Sequence, residues 1–124
     1  MAELRYTKNG EWVRFDGTRW TVGLTTPVVN DLGDVTFVEL PSIGRCIVAG
    51  EAVCALEAVK AAADYYAPVG GRIVSVNSQL VSEPQLLNTS PENTAWIFAL
   101  EEVSSEEWGA LMNGEQWKDW EAGR

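Results

Sequence analysis

The stretch "CALEAVKAAADYYAPVGG", residues 54–71, carries the reading of this chain. It sets one lysine, Lys60, among Ala58, Val59, Ala61, Ala62 and Ala63, between two runs with strand character. A lone lysine is ordinarily a solvated ammonium on a long apolar stem. Here its neighbours are small, which leaves it accessible from several sides, and Glu57 and Asp64 flank it as the nearby acids. An enzyme that acylates one particular lysine needs this pattern: a protruding amine, neighbours that admit an active site, and charges that set the register. Turns also favour polar residues for reasons unrelated to modification. The spacing alone therefore leaves both readings open.

Outward from the lysine, strand-like runs fall at Val35–Glu39, Cys46–Val48, Ala52–Glu57, Asp64–Tyr66 and Arg72–Val76, broken by Pro41, Gly44, Gly50, Pro68 and Gly70-Gly71. Short strands with this punctuation predict a mainly β fold, a sandwich or barrel. A faint repeat runs through it: "PSIGRCIV" from Pro41 and "PVGGRIV" from Pro68 share Pro-x-x-Gly-Arg followed closely by Ile-Val. Two similar half-sheets would put Lys60 near their pseudo-symmetry axis, at a hairpin tip; chance recurrence of turns and Ile-Val pairs is the alternative. Residues 11–24 read as a hairpin turned at Asp16-Gly17. Pro27–Leu32, with a threonine before it and Gly33 after it, reads as a short helix.

The end of the chain changes period. Ser104 and Glu107 have capping-box spacing, and Trp108, Leu111 and Met112 follow at helical intervals before Asn113-Gly114, which reads as a stop. A second short helix would carry Trp117 and Trp120. The whole segment, about 104–121, is expected to be a helical lid on the sandwich, its tryptophans packing rather than binding a ligand.

Composition bounds the rest. A chain of 124 residues and 13.6 kDa, 46% apolar, is expected to form one domain, 1–124, with a core of its own. Neither a membrane-length apolar run nor a secretory core is visible, so the expected location is the cytoplasm. The formal charge of −9 disfavours nucleic acid and anionic lipid as partners. Histidine is absent and the two cysteines are eight residues apart, so no zinc site and no Cys/His nucleophile can be assembled. No motif for phosphate binding or acyl transfer is present either. The chain is not expected to be an enzyme, and Cys46 and Cys54, both in apolar runs, are expected to be small buried hydrophobes.

The runs "LGDVTFVELPSIG" (32–44), "LEAVKAAADYYAPVGGRIVSVN" (56–77) and "PQLLNTSPENTAWIF" (84–98), with "EWV" and "TVGLT" before them, resemble the glycine cleavage H-protein family across nearly the whole chain. That resemblance implies the lipoyl/biotinyl carrier fold, a β-sandwich with short helices, and lipoic acid attached covalently at Lys60 by a lipoate-attaching enzyme. It further implies a loaded arm that folds onto a cleft whose walls include Glu11 and Asp64, with Glu57 among the residues around the modified lysine. A biotin carrier is disfavoured because such tips read Met-Lys-Met and this one reads Val-Lys-Ala.

Departures from the family pattern bear on the cargo. Gly10 stands where a histidine is common before Glu11-Trp12, Thr26 and Pro27 replace a polar pair, and Ala58 replaces a serine. Each removes polarity where an aminomethyl cargo would be held. The sequence therefore points to the H-protein-like lipoate carriers of sulfur oxidation, whose partners are a heterodisulfide-reductase-like complex and sulfurtransferases; a dihydrolipoyl dithiol can take up sulfane sulfur. Glycine cleavage, with its P, T and L proteins, is the second reading, and a lipoyl-relay or unmodified scaffold protein the third. A monomer best suits a freely swinging arm.

Overall fold

The computed structural model describes residues 3–123; Met1, Ala2 and Arg124, the ends of the expected 1–124 domain, lie outside the described residues. In chain order the elements are β1 (Glu3–Tyr6), β2 (Glu11–Phe15), β3 (Trp20–Leu24), α1 (Thr26–Leu32), β4 (Val35–Glu39), β5 (Cys46–Ile47), β6 (Ala52–Ala58), β7 (Ala62–Tyr66), β8 (Gly71–Val76), α2 (Gln79–Ser82), α3 (Leu86–Thr89), β9 (Phe98–Glu101), α4 (Ser105–Ala110) and α5 (Gly114–Ala122). One antiparallel sheet has six strands in the order β1-β2-β3-β9-β8-β5, the other three in the order β4-β6-β7. Val13, Val22, Leu24, Ile73, Phe98 and Leu100 from the first meet Val35, Val38, Val53 and Leu56 from the second in one buried cluster. Strand alternation sends these side chains into that layer, with register shifts in β4 and β6 that let Val35 and Val38, and Val53 and Leu56, face the same way.

The repeat becomes a pair of nested hairpins. Cys46 pairs with Arg72 and Ile47 with Gly71 in the larger sheet, while Ala52 pairs with Tyr66 and Glu57 with Ala62 in the smaller one. Both sets of pairs are centred on Val59–Lys60. The Pro-x-x-Gly-Arg copies run antiparallel side by side, with the Gly44 N–H donating to the Ile73 carbonyl at 2.7 Å and the Ile73 N–H to the Arg45 carbonyl at 2.9 Å. The chain passes between the sheets at 48–51 and 67–70, where Gly50 and Ala67 each donate a backbone bond of 2.8 Å, to Ala67 and Glu51 respectively.

The hairpin over 11–24 forms, and Asp16 Oδ1 accepts from the Thr18 and Arg19 N–H groups at 2.8 Å each, which closes its turn. Inside it Trp12 pairs with Gly23, and a Cβ on Gly23 would lie 2.4 Å from the indole. Glycine is needed for that close approach, and the indole N–H, buried, donates to the Pro91 carbonyl at 3.0 Å. The short helix α1 forms as well, but its Thr25 cap makes no side-chain bond. Glu92 supplies the cap instead, accepting from the Thr26 N–H at 2.8 Å and its hydroxyl at 2.7 Å.

Three local expectations are corrected. Ser104 does cap α4, but the Glu107 carboxylate leaves the expected box and accepts the Gly70 N–H at 2.8 Å, a tertiary partner that outcompetes the local one. Asn113-Gly114 starts a helix instead of ending one: Asn113 caps α5 in a reciprocal box with Gln116. Cys54 is buried as expected, whereas Cys46 is exposed. β5 is a two-residue edge strand, and burial of Ile47 turns the adjacent Cys46 outward. Strands β1 and β9 and helices α2 and α3 had no reading in the sequence.

The C-terminal helices pack on the β1 edge. Trp117 stacks on Tyr6 at 4.6 Å between ring centroids, Arg5 lies over the Trp108 ring, and Met112 exchanges backbone bonds of 2.7 and 3.0 Å with Tyr6. No helix among the described residues is long and apolar enough to cross a membrane.

Candidate functional site

Lys60 lies in the three-residue connection, 59–61, between β6 and β7, closed by the Ala58 N–H donating to the Ala61 carbonyl at 2.8 Å. The lysine is exposed and Val59 beside it is 73% exposed, so the tip is open to a large partner. The tip is anchored from outside by the Asp34 carbonyl, which accepts the Val59 N–H at 2.9 Å. Gly33, just past α1, lies under the lysine stem: a Cβ there would sit 3.4 Å from Lys60 Cδ. The side chain thus leaves the fold along the C-terminal end of α1.

At the other end of α1 sits Glu11. The Thr25 N–H donates to the Gly10 carbonyl at 2.8 Å, and Gly10 is so close to Val28 that a Cβ would come within 1.9 Å of its Cγ2. Glu11 itself, although a charged residue at the start of a strand, is buried, 3% exposed. Its Oε1 accepts the Thr7 hydroxyl at 2.9 Å, while Oε2 has no hydrogen-bond partner among the described residues. Burial raises its pKa from 4.5 to about 7, against a smaller lowering by the Thr7 bond. A buried carboxylate oxygen without a partner is costly and invites a donor.

The other two residues singled out by sequence fall elsewhere. Glu57 and Asp64 are exposed and line a hollow of about 270 Å³ with Ala55, Leu56, Ala62 and Ala63 below the lysine tip. By strand alternation Asp64 shares its side of β7 with the exposed Ala62 and Tyr66. Tyr65, of opposite parity, is the residue that senses Glu11: burial first, then the charges of Glu11, Cys54 and Asp31, raise its pKa to about 12. Glu57 and Asp64 therefore share one exposed face near the lysine tip, whereas Glu11 is buried. Cys54 is likewise held up at about 12, mainly by burial, which leaves its thiol protonated and inert.

Sequence reasoning missed Thr7, Tyr65, Asn88 and Glu92. The Asn9-Gly10 turn signal before β2 could have suggested that Thr7 folds back on Glu11. Asn88 and Glu92 had no local signal, since their partners lie at least 53 residues away.

Residues 4–122 match the sequence pattern of the glycine cleavage H-protein family. This chain belongs to that family. It is 40% identical over 116 residues to the glycine cleavage system H protein of Listeria monocytogenes, covering 94% of this chain and 93% of that one. Against the H protein of Thermotoga maritima the identity is 48% over 101 residues, 82% of each chain. The crystal structure of a glycine cleavage system H protein from Mycobacterium marinum superposes with a TM-score of 0.84 at 29% identity, covering 97% of both chains. Like the family, this H-type chain is a non-catalytic lipoyl carrier that serves partner enzymes. Its own geometry fits the group: an open lysine on a tight hairpin, and a buried oxygen without a partner at the far end of the adjoining helix.

Proposed function

We propose that this protein is the lipoyl carrier of a glycine cleavage system, with lipoate in amide linkage to Lys60 and an aminomethyl group as cargo. Its partners are then a lipoate-attaching enzyme and the P, T and L proteins, in the cytoplasm. When bound, the group supplies a dithiolane on a flexible tether, which keeps cargo at high local concentration near successive active sites.

The observation that carries the cargo is Glu11 Oε2, buried without a partner. An alkylammonium complements such an oxygen in both charge and hydrogen bonding, and its approach favours the ionised carboxylate. A sulfur-loaded thiol is neutral or anionic and offers that oxygen no more than a weak S–H donor. The seven residues of α1 rise about 10 Å from end to end. Helix α1 thus forms a wall from the lysine root at Gly33 to Glu11. Glu57 and Asp64, on their exposed face, are placed to be read by the modifying enzyme. The sulfur-carrier reading loses support, because Glu11 and Thr7 keep polar groups beside Gly10, and Thr26 bonds Glu92 through its hydroxyl.

A paired assay on the lipoylated protein tests this: glycine-dependent loading by a P protein, beside mass-spectrometric detection of sulfur adducts after exposure to a sulfane-sulfur donor and its transferase. The expected result is glycine-dependent loading, lowered about tenfold by Glu11→Gln, with no transferase-driven sulfur uptake. Lys60→Arg, which keeps the charge but cannot be acylated, should show unmodified intact mass with an unchanged fold. Sulfur uptake that requires Lys60, without glycine activity, would overturn the cargo; lipoylation of Lys60→Arg would overturn the attachment site.

A further inference from the structure

Asn88, on α3, carries two long-range bonds. Its Nδ2 donates to the Gly33 carbonyl at 2.8 Å, and its Oδ1 accepts the Val35 N–H at 2.9 Å. One partner is an acceptor and the other a donor, so the amide has a single satisfying orientation. Together the two bonds bracket Asp34.

That bracket bears on the lysine turn at two points. The Asp34 carbonyl holds the Val59 N–H, and the bare face of Gly33 receives the Lys60 stem. Gly33 has φ +80° and ψ −157°, a conformation open to glycine. The bond from Ala58 to Ala61 closes the loop on itself and leaves its direction from the sandwich unset. β7 is moreover an edge strand, so nothing in the sheet beyond it steadies the hairpin on that side.

We propose that Asn88 is a positioning residue for the lysine. Through Gly33 and Asp34 it sets the direction in which the Val59–Lys60 turn leaves the fold, and so the pose in which the Lys60 amine meets the enzyme that acylates it. This rests on Lys60 being the attachment site. Misdirection of a nucleophile costs near-attack geometry more than binding. Loss of the bracket therefore acts on kcat of acylation.

The experiment uses the unmodified, isotope-labelled protein and follows backbone amide exchange in wild type, Asn88→Ala and Asn88→Asp, with Ile73→Val as a control for loss of stability away from the bracket. Asn88→Asp keeps the acceptor for Val35 and loses the donor to Gly33; it carries the test if Asn88→Ala does not fold. In the Asn88 variants exchange at Val59 should accelerate about tenfold or more, while Ala58 and the amides of β2 and β3 hold their rates. In Ile73→Val, Val59 should move only with the molecule as a whole. A lipoate-attaching enzyme should then show kcat on the Asn88 variants lowered roughly tenfold, with KM little changed. Unchanged exchange at Val59, or acceleration shared by β2 and β3, would overturn the positioning role whatever Lys60 proves to carry. Lipoylation of Lys60→Arg would instead remove the attachment site, leaving the exchange result intact.

Discussion

Lys60 and Glu11 sit beside opposite ends of one seven-residue helix, yet the fold treats them in opposite ways. The lysine stands on a three-residue connection with small neighbours and open solvent; the glutamate is 3% exposed, with one oxygen bonded to Thr7 and the other to nothing among the described residues. A group that must be found by another enzyme needs access. Under the proposed function Glu11 grips a small cation and needs the reverse, because desolvation is what makes an unpaired carboxylate attract a donor strongly. α1 lets one small chain keep both, by separating them along its length while tying each to an end.

The sharpest way to break this contrast is to spoil the buried end alone. Gly10 has φ +97°, and a Cβ there would overlap Val28. Strain and overpacking together should cost Gly10→Ala about 4 kcal/mol, visible as a lowered urea midpoint, whereas the lysine tip should remain a substrate for lipoylation wherever the variant is folded.

Next in size is the pH dependence of Glu11. Its folded pKa, about 7, lies above the unfolded value of 4.5, so between those values the folded state keeps a proton that the unfolded state has released. Stability from this group therefore falls as pH rises from about 4.5 to 7 and is level above that, a loss of roughly 3 kcal/mol. Glu11→Gln should abolish this slope in urea titrations run across that range. A slope that survives the substitution would place the titrating group elsewhere.

The smallest effects belong to the exposed face near the lysine tip. Glu57→Gln and Asp64→Asn should each change stability by no more than about 0.5 kcal/mol, because neither carboxylate is buried. They should raise KM for lipoylation if the modifying enzyme reads those charges. Loss of stability in either variant would show that this face is less independent of the core than its exposure implies.

Turn chemistry was the most legible part of the sequence. Asp16-Gly17 marked its hairpin, and the paired Pro-x-x-Gly-Arg segments marked halves that do lie side by side around Lys60. Signals of this kind act within a few residues, where local sterics decide. The same logic misled at the C-terminus, where Glu107 has the spacing of a capping box but bonds Gly70, and Asn113-Gly114 looks like a stop but caps a new helix. Asn-Gly suits either role, and only the chain that follows selects one.

By itself, then, the sequence determined the β-rich class, the exposed lysine turn and its acidic neighbours, because backbone punctuation and alternation are local properties. Only the tertiary structure decided that Glu11 is buried with a free oxygen, that Cys46 faces outward, and that Asn88 and Glu92 hold the two ends of α1. Those features depend on which distant segments come to cover a residue and bond it, and a side chain carries no record of its solvent exposure until the layers around it have packed.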